Sequence, residues 1–86
     1  MDFDEFRQDI VLAGRELLAK GLVAGTWGNI SLRLPSSELI AVTPSGRDYQ
    51  TLSKEDIVIV NLQGETVAGR HKPSSETPLH VAIYRA

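Results

Sequence analysis

Pro73-Ser74-Ser75-Glu76-Thr77-Pro78-Leu79-His80 is the stretch from which the rest of the chain can be read. Two hydroxyls, a carboxylate and then apolar residues at helical spacing predict a helix N-terminus. Ser74 or Ser75 suits the N-cap, where a side-chain oxygen accepts from unpaired N–H groups of the first turn. Pro78 falls inside that turn, where its missing N–H costs little. Leu79, Ala82, Ile83 and Ala86 follow at i, i+3, i+4 and i+7, which predicts one buried face. A helix N-terminus also gathers free donors and a positive pole, so it suits phosphate or carboxylate. The stretch is therefore either a plain cap or an anion site with Glu76 beside it to move a proton.

Composition narrows the choice. Nine Lys plus Arg against eleven Asp plus Glu, a net charge of −2, provide no field to attract nucleic acid or an anionic membrane. There is no cysteine, which excludes a disulfide framework and a thiolate metal site. No apolar run is long enough to span a bilayer. The acidic start, Met1-Asp2-Phe3-Asp4-Glu5, is unlike a secretory signal, so a cytoplasmic location is expected. At 86 residues only roughly 60% of the unfolded surface can be buried. Tyr84-Arg85-Ala86 carries no helix-stopping residue, and the reading is of the N-terminal portion of a single larger domain.

Residues 2 to about 20 predict an amphipathic helix, with Asp2 and Glu5 as a capping box and Phe3, Phe6, Ile10, Ala13 and Leu17 as its apolar stripe. Lys20 and Gly21 mark its end. Ile30, Leu32 and Leu34 alternate with Ser31 and Arg33, a half-buried strand, and Leu39-Ile40-Ala41-Val42 reads as a second. Ser53-Lys54-Glu55-Asp56 predicts a short capped turn before Ile57-Val58-Ile59-Val60, the clearest strand signal in the chain. Gln63-Gly64 turns that strand into a hairpin over residues 57 to 67. Gly69 to Lys72 then lead to the Pro73 helix, and His71 reads as an exposed loop residue. No repeat or internal linker interrupts the chain.

Three small-residue segments, Gly28-Asn29, Ser45-Gly46 and Ser74-Ser75, lie where loops meet regular elements. Each offers backbone N–H, hydroxyl or amide donors, and a phosphate needs donors converging from several directions. None contains Lys or Arg, so such a site would rest on neutral donors and the helix end. Each segment alone is more often an ordinary turn, and spacing does not show that the three meet.

Gly25-Thr26-Trp27-Gly28-Asn29-Ile30-Ser31, Thr43-Pro44-Ser45-Gly46-Arg47-Asp48-Tyr49, Asp56-Ile57-Val58-Ile59-Val60 and Lys72-Pro73-Ser74-Ser75-Glu76-Thr77-Pro78-Leu79-His80 come in the order and spacing of the class II aldolase/adducin family, which the chain resembles over nearly its whole length. The resemblance implies an α/β fold, three-layer α/β/α around a largely antiparallel sheet, usually built into homotetramers. It implies that Gly28, Asn29, Ser45, Gly46, Ser74 and Ser75 bind the phosphate of a sugar phosphate, and that Glu76 is the catalytic acid/base beside zinc or another divalent metal. The implied reaction is reversible cleavage to dihydroxyacetone phosphate and an aldehyde. Epimerisation of a pentose phosphate at C4, dehydration of methylthioribulose phosphate and a non-catalytic adducin-like interaction module are the alternatives within the family.

One departure matters. The family's metal-binding histidines would follow Ala86, and this chain has only His71 and His80, neither in the family's pattern. His80 and Tyr84 share a helix face at i, i+4, where packing or hydrogen bonding is favoured over metal ligation. These 86 residues alone are therefore expected to bind no metal and to be inactive. A short chain that binds phosphate without chemistry is a further reading. Trp27 either lines the site or fills a core or subunit contact. Arg47, Asp48 and Tyr49 either face a neighbouring subunit or form a solvated loop.

Overall fold

A computed structural model describes residues 3–21, 29–35, 37–46 and 49–86. Trp27, Gly28, Arg47, Asp48 and Asp2 lie outside the described residues, and with them the expected Asp2–Glu5 capping box. The elements run α1 (Asp4–Ala19), β1 (Ser31–Arg33), β2 (Leu39–Val42), a single 3-10 turn (Lys54–Asp56), β3 (Val58–Asn61), β4 (Thr66–Ala68) and α2 (Thr77–Arg85).

The four strands form an antiparallel meander in the order β1-β2-β3-β4. Side-chain alternation sends successive residues of β2 and β3 to opposite faces. Ala41 and Ile59 join Leu34, Leu52, Ile57 and Tyr49 under Ile10 and Val11 of α1. Ile40, Val42, Val58 and Val60 pack on the other face with Val81 of α2, flanked by Tyr84. Helices cover both faces, and β3 is buried on both, which explains its unbroken β-branched run. The predicted three-layer α/β/α arrangement is therefore present. Among the described residues no helix is long and apolar enough to cross a membrane.

The β3–β4 hairpin and the 3-10 turn follow local rules. Asn61 Oδ1 accepts from the N–H groups of Gln63 and Glu65, each at 2.9 Å, and holds the tip of the β3–β4 turn. Gly64 there has φ 82°, a conformation that costs glycine little. In the 3-10 turn, the Asp56 carboxylate accepts from the Ser53 N–H at 3.0 Å and from its hydroxyl at 3.1 Å, as the capped-turn reading anticipates.

Four expectations are corrected. The α1 stripe is rotated: Ile10, Val11 and Gly14 are its buried positions, with Phe3, Phe6 and Leu18 packed alongside, while Ala13 and Leu17 are only half-buried. The Tyr49 ring packs over Gly14, 3.5 Å from where a Cβ would stand, an ordinary van der Waals distance. Tyr49 itself is neither solvated nor free for a subunit contact, being 2% exposed in the α1-side core. Burial outweighs the nearby Thr43 side chain and holds the Tyr49 hydroxyl above its usual pKa, and that hydroxyl makes no well-formed hydrogen bond. On α2 the inward residues are Thr77 and Val81, with His80 and Tyr84 half-buried. Leu79 and Ile83 of the expected buried face are 57% and 62% exposed, because the sheet meets the helix on the side carrying Val81.

His71 is the fourth. Rather than an exposed loop residue, it is half-buried, with Nε2 2.8 Å from Asp56 Oδ1, and Arg70 Nη2 reaches the same oxygen at 3.3 Å. Burial would raise the Asp56 carboxyl. Hydrogen bonds from the Ser53 N–H, His71, Arg70 and the Ser53 hydroxyl prevail and hold it at about 2.

Candidate functional site

Thr43 joins the three segments. In register with the β1–β2 ladder, Ile30 and Thr43 are the next pair that should exchange both backbone hydrogen bonds. One forms normally, Thr43 N–H to Ile30 O at 3.0 Å. The other is diverted: the Ile30 N–H donates to Thr43 Oγ1 at 3.2 Å. The Thr43 carbonyl instead accepts from the Ser74 N–H at 2.9 Å. A buried threonine thus uses its hydroxyl in place of its carbonyl and ties β1 to the start of α2. Next along, the Ser45 N–H donates to Lys72 O at 2.9 Å, with Pro44 facing Pro73.

The helix start differs in detail from expectation. Glu76, not Ser74 or Ser75, occupies the N-cap, and its side chain makes no capping hydrogen bond. Ser74, nearly buried, builds the turn before it. Its Oγ accepts from the Glu76 N–H at 3.1 Å, and its carbonyl accepts from the Thr77 N–H at 3.0 Å and the Thr77 hydroxyl at 2.6 Å. Pro78 lies in the first turn, as anticipated. The Glu76 carboxylate is left exposed.

A count of donors separates scaffold from binding capacity. Ser45 and Ser74 spend their N–H groups on the junction, while Ser74 Oγ only accepts, from the Glu76 N–H, and keeps its O–H to donate. The N–H groups of Gly46 and Ser75 and the hydroxyls of Ser45 and Ser75 have no partner among the described residues. All three residues are exposed, and Gly46 has φ 72° with nothing within 4 Å of a would-be Cβ. Unspent donors on two adjoining turns, next to an uncommitted carboxylate, can receive an anionic oxygen cluster and exchange a proton with what it carries.

Asn29 sits on the other flank. Its Oδ1 is in hydrogen-bond contact with His80 Nε2, while His80 Nδ1 meets Ser31 Oγ at 2.7 Å and Ser31 Oγ meets the Tyr84 hydroxyl at 3.0 Å. Burial lowers the His80 pKa, against the opposing pull of the Glu76 charge. The i, i+4 placement of His80 and Tyr84 was readable in the sequence. Their partners, about fifty residues away, were not, and nothing in the sequence marked Thr43 as the joint. Gly28 lies outside the described residues.

No group of three or more His, Asp or Glu among the described residues is arranged to hold a metal ion. His71 is bonded to Asp56, and His80 has both ring nitrogens engaged. An apolar groove of about 730 Å³ opens between the β3–β4 turn and α2, lined by Leu62, Pro73, Pro78, Val81 and Ala82 among others. Ser74 and Ser75 border it, whereas Asn29, Ser45, Gly46 and Glu76 do not, so it adjoins the donor cluster without containing it.

Comparison with known proteins agrees with this architecture. The chain is 44% identical over 79 residues to a 5-deoxy-D-ribulose 1-phosphate aldolase of Bacillus thuringiensis serovar kurstaki, covering 92% of this chain and 37% of that protein. It is 38% identical over 81 residues to an L-ribulose-5-phosphate 4-epimerase of Salmonella paratyphi B, covering 94% and 36%. A solved L-fuculose 1-phosphate aldolase superposes with a TM-score of 0.88 at 35% identity, covering 93% of this chain and 38% of that one. The chain therefore spans little more than a third of the length of these relatives. Residues 8–86 match the family described as Class II Aldolase and Adducin N-terminal domain, and the chain belongs to that family.

Proposed function

We propose that the chain is the N-terminal portion of a single class II aldolase domain, in an enzyme that reversibly cleaves a sugar phosphate to dihydroxyacetone phosphate and an aldehyde. The observation that carries this reading is the set of unspent donors on Ser45, Gly46 and Ser75 beside the exposed Glu76 carboxylate. Asn29, Gly28 and the Ser74 hydroxyl complete the phosphate grip. Neutral donors and the positive end of α2 hold the phosphate, which fixes the reacting carbon and supplies orientation. In the condensation direction Glu76 removes a proton from the hydroxymethyl carbon of dihydroxyacetone phosphate. In the cleavage direction it returns that proton. Zinc or another divalent ion belongs to the complete enzyme in this reading. The described residues do not fit such an ion. A cytoplasmic homotetramer is the proposed setting.

The 38% identity to an L-ribulose-5-phosphate 4-epimerase supports a second reading, in which the same phosphate grip serves epimerisation. A related dehydration would use it likewise. A purely adducin-like interaction module has no use for the unspent donors.

The test is Glu76→Gln in the full-length enzyme. Aldol cleavage and solvent exchange of the hydroxymethyl proton should both fall at least about a hundredfold, within the range for a positioned acid/base. Affinity for inorganic phosphate should change less than about threefold, since the phosphate donors remain. Retained proton exchange would remove Glu76 from the reaction. Retained exchange of a different carbon-bound proton, with no cleavage in the wild type, would favour the second reading.

A further inference from the structure

We propose that His80 is a positioning residue that locks the Asn29 side chain with its amide donors presented to the phosphate; this rests on the reading of Asn29 as a phosphate ligand. Hydrogen-bond directions define the arrangement. Asn29 Oδ1 can only accept, so the His80 nitrogen facing it, Nε2, carries the proton. In the neutral ring Nδ1 is then an acceptor, and the Ser31 hydroxyl at 2.7 Å donates to it. That leaves Ser31 Oγ to accept from the Tyr84 hydroxyl at 3.0 Å. Every donor from Tyr84 through Ser31 and His80 points toward Asn29, and the chain ends on its carbonyl oxygen.

Two consequences follow for Asn29. Its amide cannot flip without setting an NH₂ against the Nε2–H of His80. Its own two N–H donors remain without a partner among the described residues, so an arriving anion finds them already oriented. The lock is anchored twice on the same strand, since Ser31 belongs to β1, and Arg33 two residues on donates to the Tyr84 carbonyl at 3.1 Å. Burial, which depresses the His80 pKa, keeps the ring in the neutral form that this pattern requires. His80 touches no reacting atom in this arrangement and acts through Asn29.

The experiment begins with the wild-type full-length protein. Long-range proton–nitrogen NMR correlations of the His80 ring should show the Nε2–H tautomer at neutral pH. Titration with inorganic phosphate should then show that His80→Ala and Asn29→Ala each weaken binding about tenfold, as expected when one well-placed hydrogen bond to an ion is lost. The double variant should be no weaker than Asn29→Ala alone. His80→Gln, whose amide N–H can reach the Nε2 position, should restore most of the affinity. In turnover the His80→Ala change should appear in KM, with kcat altered less than about threefold. An Nδ1–H tautomer, or an additive double variant, overturns the lock even if phosphate binds normally. Absence of phosphate binding by the wild type, with the Nε2–H tautomer present, instead overturns the anion site and with it the role given to His80. The tautomer measurement needs no variant, so misfolding of His80→Ala cannot shelter the proposal.

Discussion

Replacing Asp56 with Asn should produce a stability deficit that depends on pH in a defined way. Asp56 is 7% exposed, and its carboxylate accepts from Ser53, His71 and Arg70. Those bonds hold its carboxyl at about 2, against an ordinary value of 3.8. At about 1.4 kcal/mol per pH unit, this difference corresponds to about 2.5 kcal/mol of folding stability. The folded-state value is the lower one, so the stabilisation is complete above pH 3.8 and drains away as pH falls through 2. Asn keeps one carbonyl acceptor for the Ser53 N–H but no charge, so the deficit at pH 6 should be about 2 kcal/mol. It should shrink below about 0.5 kcal/mol at pH 2, where the wild-type carboxyl is half protonated and the bonds to it are weakened. Arg70 should contribute little of this, because its side chain is 63% exposed and water screens the pair. Urea unfolding followed by circular dichroism at pH 6, 4, 3 and 2 is the assay. An equal deficit at pH 6 and pH 2 would show that the Asn change acts through packing and would refute the electrostatic account. The variant should also weaken phosphate binding modestly, since His71 restrains the segment whose Lys72 carbonyl receives the Ser45 N–H.

Other substitutions separate further contributions. Thr43→Val keeps the shape but leaves the Ile30 N–H without its acceptor, so it should cost about 1–2 kcal/mol in unfolding and Thr43→Ser should recover most of that; equal stability of the Val variant and wild type would dismiss the diverted hydrogen bond. Gly69→Ala should cost about 2–3 kcal/mol, because φ is 125° and the new Cβ would sit 3.1 Å from Val58 Cα. Gly46→Ala, with φ 72° but open space, should cost only about 1 kcal/mol, and reversal of that order in thermal unfolding would contradict the close approach at Gly69.

Legibility in the sequence followed the range of the interaction. The strands, the 3-10 turn and both helices were readable because alternation, helical spacing and caps act within a few residues. Which face of α2 turned inward was not readable. Leu79, Ala82 and Ile83 form the more apolar side, but the sheet chose the side with Val81, His80 and Tyr84, where Ser31 and Arg33 supply polar partners. The candidate site was legible as three segments, while their meeting was not. It depends on a rung between Ile30 and Thr43 and a bond from Ser74 to Thr43, thirteen and thirty-one residues apart in the chain. The Ser74 or Ser75 cap failed for a related reason: Ser74 was drawn into the junction, and Glu76 took the terminal position.

The facing prolines have a consequence for assembly. Pro44 and Pro73 oppose each other at a non-hydrogen-bonded position of an antiparallel pair, where neither residue has to donate, and the working bonds fall on the neighbours, Ser45 to Lys72 and Ser74 to Thr43. Sliding either strand by one residue would bring a proline nitrogen, which has no hydrogen, opposite a carbonyl that needs one. The misaligned pairing loses a bond at once, so a one-residue slip is penalised where the two turns engage. The pair works as a keyway that keeps a folding chain from closing the two serine turns against each other one residue out of phase.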